Sequence, residues 1–119
     1  MIDPDTTLLS EFISRAKYNL SINAQVAILK NKFTQATTVA VNGGQFHITE
    51  ARLMFNSYIL SSGNTTTVLI DDNNTPIRID DLPALQQSWQ WSWNSATNEF
   101  LAEYTKLRKA RRVEQLIAG

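Results

Sequence analysis

The last third of the chain constrains its fold most strongly. In "LPALQQSWQWSWNSATNEFLAEYTKLRKARRVEQLIAG", Leu82, Leu85, Trp89, Trp93, Ala96, Phe100, Tyr104, Leu107, Ala110 or Arg111, Val113 and Ile117 advance in unbroken steps of three and four. That spacing is the apolar stripe of an amphipathic helix. A helix from 82 to 117 spans roughly 54 Å at 1.5 Å per residue, whereas a compact domain of this length has a radius of gyration of about 13–14 Å. Unless it bends at "WNSATN", such a helix projects from the domain. Its stripe then needs a cover, either the N-terminal helix or a second copy of the chain.

The same helical phase separates the three tryptophans. Trp89 and Trp93 are four apart on the stripe, while Trp91 lies about 200° around from Trp89 and points away from it. The rings therefore do not form one aromatic platform. Trp91 is left either for a partner, where an outward tryptophan is enriched among hot spots, or for burial under the N-terminal helix.

Upstream, Thr6 or Thr7 in "DPDTT" offers a helix cap, and Leu9, Phe12, Ile13, Ala16, Leu20, Ala24, Ala27 and Ile28 keep helical spacing. A helix from about 6 to 33 is expected, with weak helix formers in "YNLSINAQ" as a place for a break. "TTVAVNGGQFHIT" then reads as a β-hairpin, because Asn42-Gly43 between alternating apolar runs accepts the positive φ of a tight turn. Val39, Val41, Phe46 and Ile48 should share its apolar face. Thr49 is a helix N-cap with Glu50 in the first turn, and Gly63 a stop. "TTTVLIDDNNTPIRID" gives two more strands, 66–71 and 76–80, around an Asp/Asn turn. Asp80 or Asp81 caps the last helix, with Pro83 in its first turn.

The fold class is thus α+β: long N-terminal helix, β-hairpin, short helix, second β-hairpin, long C-terminal helix. One domain is expected over 1–119, with an N-terminal helical arm (1–35), a β-hairpin/helix/β-hairpin core (36–81) and the terminal helix (82–119); 119 residues are too few for two ordinary domains.

Eleven Lys+Arg balance eleven Asp+Glu, so nucleic acid or anionic membrane would not be found through the overall field. A chain without net charge also lacks one ordinary protection against self-association. The absence of cysteine excludes disulfides and thiolate chemistry. The opening "MIDPDTTLLSEF" has acids where a signal peptide has basic residues, and no long apolar run, so a soluble protein made in a cytoplasm is expected.

Few residues suggest chemistry. His47 is the lone histidine and reads as a solvent-facing strand residue, with no second histidine or cysteine to share a metal. Asp71, Asp72, Asn73 and Asn74 lack the spacing and distal glutamate of a calcium loop and read as an Asx-rich turn. No nucleophile-base-acid set or phosphate-cradling loop can be assembled. No catalytic, cofactor-binding or metal residue is assigned, and the chain is read as not an enzyme. The partner-binding candidates are Trp91, with Trp89 and Tyr104 on the same helix, and the basic residues Arg108, Arg111 and Arg112 of "KLRKARR". Those cations also suit a helix C-terminus, and Glu103 and Glu114 flank them at pairing distance.

Residues 38–119, from "VAVNGGQFHITEARLMF" through "VLIDDNNTPIRIDDLPAL" to the terminal "EQLIAG", resemble the DUF4376-like domain of bacteriophage tail-fibre and tail-fibre-assembly proteins. The shared pattern is a glycine-turn hairpin, a short helix, a strand pair with a D-[DN]-N turn and a long terminal helix. The resemblance implies a non-catalytic, phage-encoded structural or assembly role: binding a tail-fibre or baseplate component, as a chaperone or as a part retained in the virion. It implies residence in the host cytoplasm during assembly, no cofactor, no membrane, and a homo-oligomer as a further option. The alternatives are a nucleic-acid-binding regulator using the basic terminal helix and an inhibitor of a host enzyme.

Overall fold

A computed structural model describes the backbone of residues 4–118 and the side chains of residues 8–113. The order is α1 (Pro4–Ala36), β1 (Thr38–Val41), β2 (Gly44–His47), α2 (Glu50–Ser61), β3 (Thr67–Ile70), β4 (Pro76–Ile79) and α3 (Leu82–Ala118), the expected α+β sequence of elements. The molecule measures 78 × 26 × 20 Å with a radius of gyration of 22.2 Å, against about 13–14 Å for a compact chain of its length. It is a small head carrying a two-helix stalk.

The head is held by local turn chemistry and one shared core. Asn42 (φ 48°) and Gly43 (φ 84°) both take the left-handed conformation, which matches the twist of a two-residue hairpin turn. β1 and β2 pair antiparallel with Val39 opposite Phe46, and β3 and β4 with Leu69 opposite Ile77. The strands form two separate two-stranded sheets, and an isolated hairpin is marginal in water. Packing supplies the rest: Phe46, Ile48, Leu53, Leu69, Ile77, Ile79, Leu82 and Trp89 are buried together, with Val39, Val41, Ile59, Leu60, Leu85 and Trp93 against them.

Polar groups join the hairpins where no strand pairing does. The Asp71 carboxylate accepts from the backbone N–H of Gln45 (3.1 Å), Asn73 (2.9 Å) and Thr75 (2.8 Å), so the Asp/Asn turn is an Asx turn clasped to β2. The Asp72 N–H returns a bond to the Gln45 carbonyl at 2.8 Å. From α2, the Arg52 guanidinium donates to the His47 carbonyl (2.8 Å), the Asp72 carboxylate (2.7 Å) and the Ile70 carbonyl (3.2 Å) and lies over the Phe46 ring. His47 itself is half-buried rather than solvent-facing, with Nδ1 3.4 Å from the Thr37 hydroxyl.

The helix caps fall where the sequence places them. Thr49 accepts from the Arg52 N–H at 3.1 Å, Asp81 from the Ala84 N–H at 3.1 Å, and Gly63 follows α2 at φ 87°. Two expectations for α1 fail. It is already helical at Pro4, so neither Thr6 nor Thr7 is its cap, and it runs through "YNLSINAQ" without a break. α3 likewise continues through "WNSATN" as one helix.

α1 and α3 run antiparallel. Phe33 meets Trp93 and Phe100 edge-on at 5.4 and 5.8 Å, Lys32 pairs with Glu99 at 3.1 Å, and the Tyr18 hydroxyl donates to the Arg111 carbonyl at 3.3 Å. The seam does not use the α1 stripe expected from the sequence. From residue 8 to 36, the α1 side chains withdrawn from solvent are Tyr18, Ile22, Val26, Leu29 and Phe33. The stripe Leu9, Phe12, Ile13, Ala16, Leu20, Ala24, Ala27, Ile28 is exposed and is centred roughly 160° around the helix from the seam. α1 thus has two apolar faces, and the larger side chains of the outer one stay in water.

Two outcomes test the head. A Cβ at Gly44 would stand 2.7 Å from Ile77 Cγ1 and 3.3 Å from Asp71 Cβ, so Gly44→Ala should destabilise by about 1–3 kcal/mol in urea titrations. The bond from Thr75 N–H, with those from Gln45 and Asn73, outweighs burial and holds the Asp71 carboxyl below the usual carboxylate range. A depressed pKa contributes stability above the unfolded value and loses it as pH falls toward the folded value. Wild type should therefore weaken below about pH 4, and Asp71→Asn should be less stable at pH 7 with a flatter acid limb.

Candidate partner-binding face

α3 displays different chemistry around its circumference. Its first two turns enter the head, where Leu82 and Trp89 are buried at 0% and 1% exposure and the Trp89 ring meets Phe46 at 5.3 Å. This corrects the assignment of Trp89 as a partner contact: its ring is core. Gln86, one turn earlier, donates to the Leu53 carbonyl (2.9 Å) and the Ser57 hydroxyl (3.1 Å), fixing α2 against α3. Asn56, fully buried on α2, has neither amide atom hydrogen-bonded. Trp93 and Phe100 continue the buried side along α1 as partly covered rings. Tyr104, 37% exposed, stacks on Phe100 at 6.2 Å and 7°, so one side of its ring is already used.

Trp91 lies on the opposite side and is 70% exposed. The N-terminal helix does not cover it. The residues around it on that side, Gln87, Ser88, Asn94, Ser95 and Asn98, are exposed, and residues 82–98 contain no charged side chain. Gln90, the residue before Trp91, helps line an open groove of about 520 Å³ against Met54, Tyr58 and Ser61 of α2. Met54 and Tyr58 are themselves 72% and 67% exposed. The result is an uncharged, amide-rich face of α3 with the Trp91 ring in water and, about 100° around the helix from it, a groove edged by the exposed Met54 and Tyr58. Aromatic enrichment and charge depletion distinguish interface cores from ordinary surface.

The basic residues lie far from this face. Arg108, Lys109, Arg111 and Arg112 are exposed near the free end of the stalk, and among the described residues none of them forms an ion pair, whereas Lys106 reaches Glu103 at 3.5 Å. Glu114, expected to pair with them, lies outside the described side chains. Arg111 contributes its carbonyl, not its charge, to the bond from Tyr18. The sequence candidates therefore separate: Trp91 on one open face, Arg108, Arg111 and Arg112 at the distal end, Tyr104 at the seam and Trp89 inside. The sequence places Met54 and Tyr58 at helical spacing on α2 with Leu53 and Leu60 and does not show that their side chains stay in water; their position beside Gln90 depends on how α2 docks.

Ionisable groups here are structural. Burial pushes the Asp72 carboxyl up, but hydrogen bonding and charge from Arg52, with bonds from the His47 region and Gln45, outweigh it and leave it below the usual range. The bond to Glu99 and its charge raise the Lys32 ammonium above its ordinary value. Among the described residues no group of three or more His, Asp or Glu converges on a metal-sized site, and no helix is long and apolar enough to cross a membrane. No protein-family model matches the chain, and no curated protein or solved structure matches it either.

The contrast between the two tryptophans is testable by thermal melts of purified protein. Trp89→Ala should cost about 3–5 kcal/mol as a core truncation. Trp91→Ala should change stability by less than about 0.5 kcal/mol, the range of ordinary surface substitutions.

Proposed function

We propose that the chain is a non-catalytic bacteriophage assembly protein that binds a tail-fibre or baseplate component through the face carrying Trp91, Tyr58 and Met54. The observation behind this reading is the 70% exposed Trp91, turned away from α1 on a helix face without charge. A free indole surrounded by glutamine, asparagine and serine is suited to a pocket on another protein: the ring supplies apolar area, and the amides supply hydrogen bonds at the rim. The resemblance of residues 38–119 to tail-fibre-assembly domains supplies the phage context and the class of partner.

A second reading uses the exposed cations Arg108, Lys109, Arg111 and Arg112 to hold nucleic acid. It calls for affinity that falls steeply with salt.

Co-expression with a phage tail-fibre protein, followed by light scattering, separates the two. The proposed function gives a stoichiometric complex that Trp91→Ala weakens by about 2 kcal/mol or more and that Arg108→Glu/Arg111→Glu/Arg112→Glu leaves intact. A chain that ignores the fibre protein but binds DNA or RNA until those three arginines are reversed would replace this function with the second.

A further inference from the structure

We infer that the outer face of α1 is the contact for a second copy of this chain, in an antiparallel two-fold dimer centred on Leu20. The inference goes beyond the proposed function and does not depend on it, because the Trp91 face points away from α1.

The exposed stripe has a partner's periodicity. Ile13, Leu20 and Ala27 are seven apart, as are Leu9, Ala16 and Asn23, and two interleaved series of seven are the a/d seam of a coiled coil. Leu20 on that seam and Phe12 flanking it are 68% and 70% exposed, an unusual situation for side chains of their size. α3 already occupies the other side of α1, and among the described residues no element covers them.

The distribution of side-chain size points to self-pairing and gives its direction. The N-terminal half of the stripe carries Leu9, Phe12 and Ile13, while the C-terminal half carries Ala24 and Ala27. In a parallel pair, phenylalanine would meet phenylalanine at one end and alanine would face alanine across a gap at the other. Antiparallel pairing about Leu20 sets Ile13 against Ala27 and Phe12 beside Ile28, while Ala16 meets Ala24 nearer the middle, where the helices approach closely. A two-fold contact requires one patch to complement itself, and reversal spreads the bulk of this stripe more evenly along the contact.

The area reaches the threshold when the face is fully covered. Taking large side chains at roughly 200 Å² each, complete burial of the exposed portions of Leu9, Phe12, Ile13, Leu20 and Ile28 removes at most roughly 600 Å² per copy, or about 1,200 Å² for the pair, at the lower bound of stable interfaces. The heads sit at the C-terminal ends of α1, so reversal places them at opposite ends of the dimer. Lys17 and Lys30 are exposed beside the stripe, so salt should strengthen the contact by screening like charges, the reverse of a nucleic-acid complex.

Sedimentation equilibrium of the whole chain, at low and high salt, is the first test, and a dimer that tightens with salt is expected. Leu20→Glu should give a folded monomer with unchanged tryptophan fluorescence and helical circular dichroism. A wild-type chain that is monomeric at every concentration, or a Leu20→Glu protein that still dimerises, overturns the inference. Direction is read from Gln35→Cys, in a chain without other cysteines, carrying a nitroxide label. Reversed pairing about residue 20 separates the two labels by roughly 45 Å at 1.5 Å per residue. A separation within about 20 Å, near the spacing of packed helices, means parallel pairing and rejects the proposed geometry.

Discussion

The packing of Trp89 on Phe46 holds the architecture together. Phe46 belongs to a hairpin of two four-residue strands, and Trp89 to a helix of 37 residues. Phe46 has no apolar side chain of comparable size within its own hairpin, and the Trp89 ring from α3 supplies one. By burying both rings at 0–1% exposure, the head gains the centre of its core and the stalk gains its root. Everything distal on α3 then follows a direction fixed within its first two turns. Arg52, 5.2 Å from the centre of the Phe46 ring, carries the same anchor into α2.

Around that anchor the head replaces sheet continuity with side-chain bonds. Two hairpins that share no ladder are joined by Asp71 accepting three backbone N–H groups and by Arg52 donating to two carbonyls and a carboxylate. Bonds involving a charged partner are stronger than neutral ones, which suits an assembly whose strands are each only four residues long. Gly44 is the steric counterpart: only a residue without a Cβ allows β2 to approach Ile77 this closely.

Sequence periodicity recovered the elements and most of the head. The α3 stripe, the Asn-Gly turn, and the Thr49 and Asp81 caps are local signals, and each depends on residues at most a few positions apart. Two kinds of information were not local. The α1 stripe gave the helix but not its orientation, because Tyr18, Ile22, Val26, Leu29 and Phe33 form a second apolar series at the same spacing, and only docking on α3 decides which one is covered. Likewise, Trp91 could be placed opposite Trp89, yet whether α1 would roof it depended on where α1 lay. The elements of the face with Tyr58 and Met54 were legible; their juxtaposition with Gln90 was not.

The stalk also gives the head mechanical reach. Two continuous helices packed through Phe33, Trp93 and Phe100 behave as a stiff beam, and among the described residues they join the hairpins at one end, through Thr37 after α1 and through Leu82 and Trp89 of α3. A small rotation of α3 about its Trp89 root would sweep the distal cations and the outer side of α1 through a much larger arc. Whatever grips the head therefore also aims the far tip, and whatever holds the tip applies leverage to the packing around Phe46.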